Sequence, residues 1–181
     1  MGRGEMMKRA LVIGGSGMLA NVSVWLSDHD YEVYVVGRTK WKMSQLLERP
    51  NKITPIYVDY QDEKLFRQKI NQTFDWDLVV AWIHNVPGEP MCVLVNELSK
   101  QDEPFNLYHV LGSSTNLHAI REKLSTPKNC TYHQVQLGFK IEDNHSRWLT
   151  HKEISNGVIE AIQSGQNIHI IGQLEPWDQR P

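Results

Sequence analysis

The sequence predicts an α/β fold, a doubly wound and mostly parallel sheet of about seven strands with helices on both faces. Three observations carry that expectation. Short β-branched runs alternate along the chain with segments of helical period, as strands joined by crossover helices do. Several of these runs are almost continuously apolar, as in strands covered on both faces. The first, Leu11-Val12-Ile13, passes through Gly14-Gly15-Ser16-Gly17 directly into an amphipathic segment, giving a strand, a glycine turn and a helix in succession.

The strands are expected at 10–13, 32–36, 53–58, 78–81, 107–111, 132–138 and 167–171. In the first helix Leu19, Val22 and Leu26 form one apolar stripe that Val24 and Trp25 broaden. Val86-Pro87-Gly88-Glu89-Pro90 leaves room for only a short helix to about Ser99, ended by the polar run 100–104. The helix after Ser114 is also short, with Leu117, Ile120 and Leu124 as its apolar face and Pro127 closing it. Thr150-His151-Lys152-Glu153 is a capping box with Leu149 and Ile154 as a hydrophobic staple, and Ile154, Val158 and Ile162 extend the buried face.

A chain of 181 residues fits one domain over 1–181. The formal charge of -2 gives no basic field, so neither nucleic acid nor an anionic membrane is expected as a partner. No stretch approaches the ~20 apolar residues of a membrane helix, and the early apolar run, broken by glycine and serine, does not read as a signal segment. Cys92 and Cys130 are too few for a disulfide framework or a zinc site, which points to reduced thiols in a cytoplasm. His145 and His151 lack a third ligand at metal-like spacing, so no metal is expected.

Glycines at Gly14 and Gly17 let the backbone approach a pyrophosphate, whose charge then faces the N–H groups of the following helix. Gly14, Gly15, Ser16, Gly17, Met18 and Leu19 are therefore a candidate dinucleotide cradle. The second strand ends in Gly37-Arg38-Thr39-Lys40, where a carboxylate would receive the ribose of NAD. Arg38 is suited instead to stack on adenine and donate to a 2′-phosphate, with Thr39 and Lys40 as helpers. NADP is thus favoured over NAD, by roughly ten- to hundredfold for one charge-assisted contact. After the third strand Asp59, beside Tyr60, is placed either to accept from the adenine amino group or simply to make a turn.

In these residues the chain resembles the short-chain dehydrogenase/reductase family, a family with an NAD(P)-binding Rossmann fold. Gly14-Gly15-Ser16-Gly17-Met18-Leu19-Ala20 stands for its glycine motif, followed by the Arg-ended second strand and the Asp after the third. Asp77 to His84 stands where the family has its Asn-Asn-Ala-Gly strand, which implies that Ala81, Trp82 and Ile83 lie beside the cofactor. Leu107 to Ser114 is similar to the strand that delivers the catalytic serine. The resemblance covers roughly the first two-thirds of the chain and implies a divergent, shortened, NADP-binding member. It also implies an oxidoreductase acting on a small carbonyl compound or alcohol, and possible assembly as a homo-oligomer.

The family's catalytic Tyr-x-x-x-Lys pair is missing from the helix after Ser114. The literal match Tyr60-Gln61-Asp62-Glu63-Lys64 follows the third strand, on the adenine side. Three groups are candidates for the reacting end: Ser114, equally suited to cap a helix; His84, equally a rim residue; and His118, whose spacing to Ser114 and Glu122 also fits exposed helix polarity. Two readings stay open, an NADP-dependent oxidoreductase with a nonstandard acid and a non-catalytic NADP-sensing module; a scaffold with a vestigial glycine loop is a third. The segment 140–148 reads as a loop at the sheet's carboxyl edge, with Arg147 and Trp148 placed to line a pocket. The tail from Gly172 is expected to fold over the sheet end or enter a subunit contact.

Overall fold

Residues that alternate between two buried faces, rather than one buried and one wet, form the strands of this protein. Ala10 and Val12 pack into one apolar cluster while Leu11 and Ile13 pack into another, and all four are fully buried. The computed structural model describes residues 7–14, 16–48, 51–71 and 75–181. Its strands are β1 (Lys8–Ile13), β2 (Tyr31–Gly37), β3 (Ile53–Tyr57), β4 (Leu78–Ala81), β5 (Phe105–Leu111), β6 (Cys130–Leu137), β7 (Phe139–Glu142), β8 (His145–Trp148) and β9 (Ile168–Ile171). The helices are α1 (Ala20–Asp28), α2 (Lys40–Leu47), α3 (Glu63–Asn71), α4 (Pro90–Leu98), α5 (Leu117–Leu124) and α6 (His151–Ser164).

Seven strands pair in parallel in the order β3-β2-β1-β4-β5-β6-β9. The chain runs outward from β1 to β3, then crosses through α3 to β4 on the other side of β1. The strand order therefore reverses between β1 and β4, where open α/β sheets leave a crevice at their carboxyl ends. Leu19, Val22 and Leu26 of α1, Met43 and Leu46 of α2, and Ile154, Val158 and Ala161 of α6 cover one face. Phe66 and Ile70 of α3, Leu94 and Leu98 of α4, and Leu124 of α5 cover the other.

Two helices set the shape of that second face. The carboxylate of Glu97 in α4 is almost sealed, and Arg67 of α3 (2.9 Å) and Lys100 (3.0 Å) donate to it. Burial alone would raise the Glu97 carboxyl, but these donors outweigh it and hold it below the usual carboxylate range, locking α4 onto α3. α5 is only 8 residues long, about 12 Å, and lies beside the 7-residue β5, about 23 Å.

The segment 140–148, expected as a loop, is instead the second strand pair: β7 and β8 form an antiparallel hairpin from Phe139 to Trp148. Its two-residue turn is Asp143-Asn144, both at positive φ (50° and 64°), the geometry that matches the twist of hairpin strands. Gln173 exchanges two 2.9 Å backbone hydrogen bonds with Phe139, so the tail folds across the end of β6 as one of its two expected roles required. α6 begins with the expected capping box, Thr150 accepting from the Glu153 N–H at 3.2 Å and Glu153 from the Thr150 N–H at 2.9 Å. Among the described residues no helix is long and apolar enough to cross a membrane.

Candidate functional site

The glycine turn lies at the reversal point. Gly14 takes φ +91°, and its carbonyl accepts the N–H groups of Gly17 (3.4 Å) and Leu19 (3.2 Å), which curls the chain before α1. A Cβ on Gly14 would come within 3.2 Å of the Trp82 Cβ, while a Cβ on Gly17 would meet nothing within 4 Å beyond its chain neighbours. The turn is thus packed on the strand side and open on the other. Ser16 sits over the end of β2, since a Cβ on Gly37 would come within 3.1 Å of its Oγ. Gly15 lies outside the described residues.

Two of the expected cofactor-binding residues, Leu19 of the cradle and Ala81 at the end of β4, have buried side chains. Leu19 is fully buried and its N–H is engaged by the Gly14 carbonyl, so its side chain anchors the turn from the core. Ala81 is likewise fully buried. Met18 contributes through its carbonyl, which accepts the Ser155 hydroxyl at 3.0 Å. Sequence reading missed Ser155, because no local pattern ties α6 to a turn 137 residues earlier.

At the far end of the crevice Arg38 meets Asp59 at 3.4 Å, with their side chains 70% and 40% exposed. The second Asp59 oxygen accepts the Gln61 N–H at 2.9 Å, so the carboxylate both makes the turn and holds the guanidinium. Thr39 stands at the start of α2 with no side-chain cap bond, and the Lys40 ammonium lies 6.0 Å over the Tyr57 ring. Tyr60 braces rather than opens: its hydroxyl accepts the His84 N–H at 3.2 Å and its ring packs against Phe66. The β3 and β4 loops are joined there.

Beyond Trp82 lies a cavity of about 480 Å³. Trp82, Ile83 and His84 line it from the end of β4, and Ser114, Asn116 and Lys123 from the β5–α5 side. The Trp82 and His84 rings meet edge to face at 5.5 Å. Of the three residues expected at the reacting end, two come together here and the third does not: His118 points away from the cavity, 81% exposed and paired with Glu122 at 3.1 Å. Asn116, not Ser114, caps α5 by accepting the Ala119 N–H at 3.1 Å, which removes the capping reading of Ser114. Trp148 and Trp82 share a second hollow of about 220 Å³, whereas Arg147 is committed to Glu142 and Glu153. Those bonds from Arg147, with others from Lys140 and Thr150, hold the Glu153 carboxyl well below the usual range. Among the described residues no three His, Cys, Asp or Glu side chains gather as metal ligands do.

The loop bearing Ser114 is held by a side chain that the sequence did not flag. Gln136 of β6 is buried, and its amide donates to the carbonyls of Gly112 (3.3 Å), Ser113 (3.2 Å) and Thr115 (3.0 Å). Gln136→Leu would remove the two amide hydrogens shared among these carbonyls and leave those of Ser113 and Thr115 without this donor, at a cost of about 1 to 2 kcal/mol. The melting temperature should fall by about 2 to 8 °C, with faster amide exchange confined to 113–116. Unchanged exchange there would show that the loop holds itself.

Below the Ser114 loop lies a buried polar cluster that sequence reading also missed, because β5 there reads as plain core. His109 of β5 lines the cavity, and its Nδ1 lies 2.8 Å from the Tyr132 hydroxyl. Gln134 donates to that hydroxyl at 3.3 Å and to the Leu117 carbonyl at 2.8 Å, and the Arg121 guanidinium stands 5.0 Å over the Tyr132 ring. Burial pushes His109 down to about 4 and Tyr132 up to about 12, so both are neutral at ordinary pH.

The sequence matches no protein-family model and no curated protein. Its structure is similar to many solved ones. A variant of the actinorhodin polyketide ketoreductase with NADPH aligns with TM-score 0.65 at 11% identity, over 92% of this chain and 96% of that one. A short-chain dehydrogenase from Burkholderia cenocepacia in complex with NADP gives 0.67 at 15%, over 93% and 89%. The bulky-bulky ketone specific alcohol dehydrogenase from Comamonas testosteroni gives 0.70 at 12%, over 95% and 90%. The chain has the α/β Rossmann fold seen in short-chain dehydrogenase/reductase structures.

Proposed function

We propose that the protein is a divergent short-chain dehydrogenase/reductase that binds NADP(H) and reduces a small carbonyl compound or oxidises the corresponding alcohol. One observation carries the reading: the open Gly17 side of the turn and the exposed Arg38 guanidinium lie on the same carboxyl edge of the sheet, at and beside the strand-order reversal. The pyrophosphate belongs over the turn, within reach of the α1 amino end. The adenosine belongs at Arg38 and Asp59. Arg38 makes a single 3.4 Å contact with Asp59, which leaves most of its donor edge for a 2′-phosphate, with Lys40 adding charge nearby. Trp82 stands between turn and cavity, where it would face the nicotinamide end. When bound, the dinucleotide supplies hydride chemistry; Ser114 and His84 orient the substrate oxygen, and Trp82 keeps water off that end.

Fluorescence titration tests the shared step. NADPH should bind roughly ten- to hundredfold more tightly than NADH, and Arg38→Ala should abolish most of that preference. Binding of neither dinucleotide overturns the reading, and equal losses for both overturn the 2′-phosphate assignment. NADPH oxidation with aldehydes, ketones and quinones tests turnover, which Ser114→Ala and His84→Ala should each lower; turnover unchanged in both rejects this site.

A second reading, an NADP-sensing module without turnover, has its own support. α5, Leu117-His118-Ala119-Ile120-Arg121-Glu122-Lys123-Leu124, carries no Tyr-x-x-x-Lys. Intact NADPH binding with no turnover across those substrates would select it.

A further inference from the structure

We propose that the cavity between α4 and α5 binds a small uncharged molecule through a carbonyl oxygen, which accepts a hydrogen bond from Nε2–H of His109. This names His109 as an anchor for a carbonyl compound in the cavity that the proposed function assigns to substrate, and its binding test stands whether or not NADP(H) binds.

The direction of every hydrogen bond in the cluster follows from what its members are able to give. Leu117 offers only a carbonyl, so the Gln134 atom facing it is the amide nitrogen, which also faces the Tyr132 hydroxyl. That nitrogen donates and cannot receive the Tyr132 proton. Among the described residues the other neighbour of this hydroxyl is His109 Nδ1, so Tyr132 donates to Nδ1. A neutral imidazole accepting at Nδ1 carries its proton on Nε2. Nε2 has no partner among the described residues, yet the one sealed and unpaired side-chain atom among them is Gln134 Oε1. The His109 Nε2–H therefore opens onto the cavity that this ring lines.

The walls select the rest of the ligand. Ile83, Val86, Met91, Val110, Ile120 and Leu124 make much of the lining apolar, and about 480 Å³ is within the range of small-molecule pockets. The charges available are already matched: Lys123 pairs with Glu89 across the helices, and Arg121 lies over Tyr132. A carboxylate or phosphate would be desolvated against a neutral imidazole without a counter-charge. A neutral ketone or aldehyde instead accepts from the buried His109 Nε2–H, which no protein acceptor meets among the described residues, and places its apolar remainder on the walls.

The probe is 4-fluoroacetophenone, with 4-fluoroethylbenzene as the isostere lacking the oxygen, followed by fluorine NMR on the full chain. The ketone should bind about tenfold or more tightly than the hydrocarbon, and His109→Phe, which keeps a ring but removes the donor, should abolish that difference. Ala119→Phe, a substitution at a lining position on the surface of α5, should abolish binding of both. Nitrogen-15 spectra of the wild type should show the Nε2–H tautomer, with the Nε2 resonance alone moving on addition of the ketone. This arm decides the matter if His109→Phe fails to fold. No ketone binding, equal affinity for the two probes, a ketone preference that survives in His109→Phe, or an Nδ1–H tautomer each overturns the proposal. Because neither probe involves NADPH, loss of this site and loss of dinucleotide binding are read separately.

Discussion

Gly138→Ala should destabilise the protein by about 3 kcal/mol or more, because its Cβ would enter backbone rather than side chain. Built on the present backbone, that atom runs into the Gln173 carbonyl, with the carbonyl carbon at 2.8 Å and the Gln173 nitrogen at 3.0 Å. Neither neighbour is able to swing aside like a side chain. The tail must lift, which breaks the paired Phe139 and Gln173 hydrogen bonds and disturbs the end of β6 held by the 2.8 Å bond from Gly138 N–H to the Ile171 carbonyl. For a chain of this length the melting temperature should drop by about 6 to 12 °C. Gly112→Ala is the matched control: it sits at the end of β5 with nothing within 4 Å of its would-be Cβ, and should change stability by less than about 0.5 kcal/mol. Equal melting of the two variants would mean that the tail is not seated on β6.

That contrast separates what the sequence made legible from what it hid. The parallel sheet was legible because burial on both faces leaves continuous apolar runs, and Leu78–Ala81 matches its expected bounds. The Thr150 cap was legible because its partners lie within four residues. The crevice residues were legible as far as chain order alone decides them: Gly14, Arg38 and Asp59 fall at the ends of β1, β2 and β3, on one edge of any parallel sheet. What stayed hidden depends on long-range contact. That the Leu19 side chain is buried, and that the helix carrying His118 starts only at Leu117 and leaves it outside the cavity lining, follows from packing and not from spacing. Ser155, Gln136 and the His109 cluster act across neighbouring elements, and their identities in sequence are those of ordinary polar residues. The hairpin had a local signal, Asp143-Asn144 between alternating residues, but that dipeptide is a weaker turn marker than one with glycine.

Acidification should expose the His109 cluster more sharply than any other part of the fold. A histidine held at about 4 in the folded protein and near 6.5 in the unfolded chain binds fewer protons when folded at every pH between. Stability is therefore complete above about pH 6.5 and falls as pH drops, by about 3 kcal/mol once pH 4 is passed. The acidic groups do not obscure this. Glu97 and Glu153, both held below the ordinary glutamate value of 4.5, retain their stabilising contribution until pH falls below that value, so they act later and in the same direction. Between pH 6.5 and pH 5 the His109 share is about 2 kcal/mol, or about 4 to 8 °C in melting temperature. His109→Gln should melt lower than wild type at pH 7.5, having disturbed the Tyr132 hydroxyl, but its melting temperature should vary much less through this window. If the wild type is flat from pH 7.5 to 5, or if His109→Gln keeps the same slope, then the imidazole is not buried and neutral, and the donor that the cavity offers has another source.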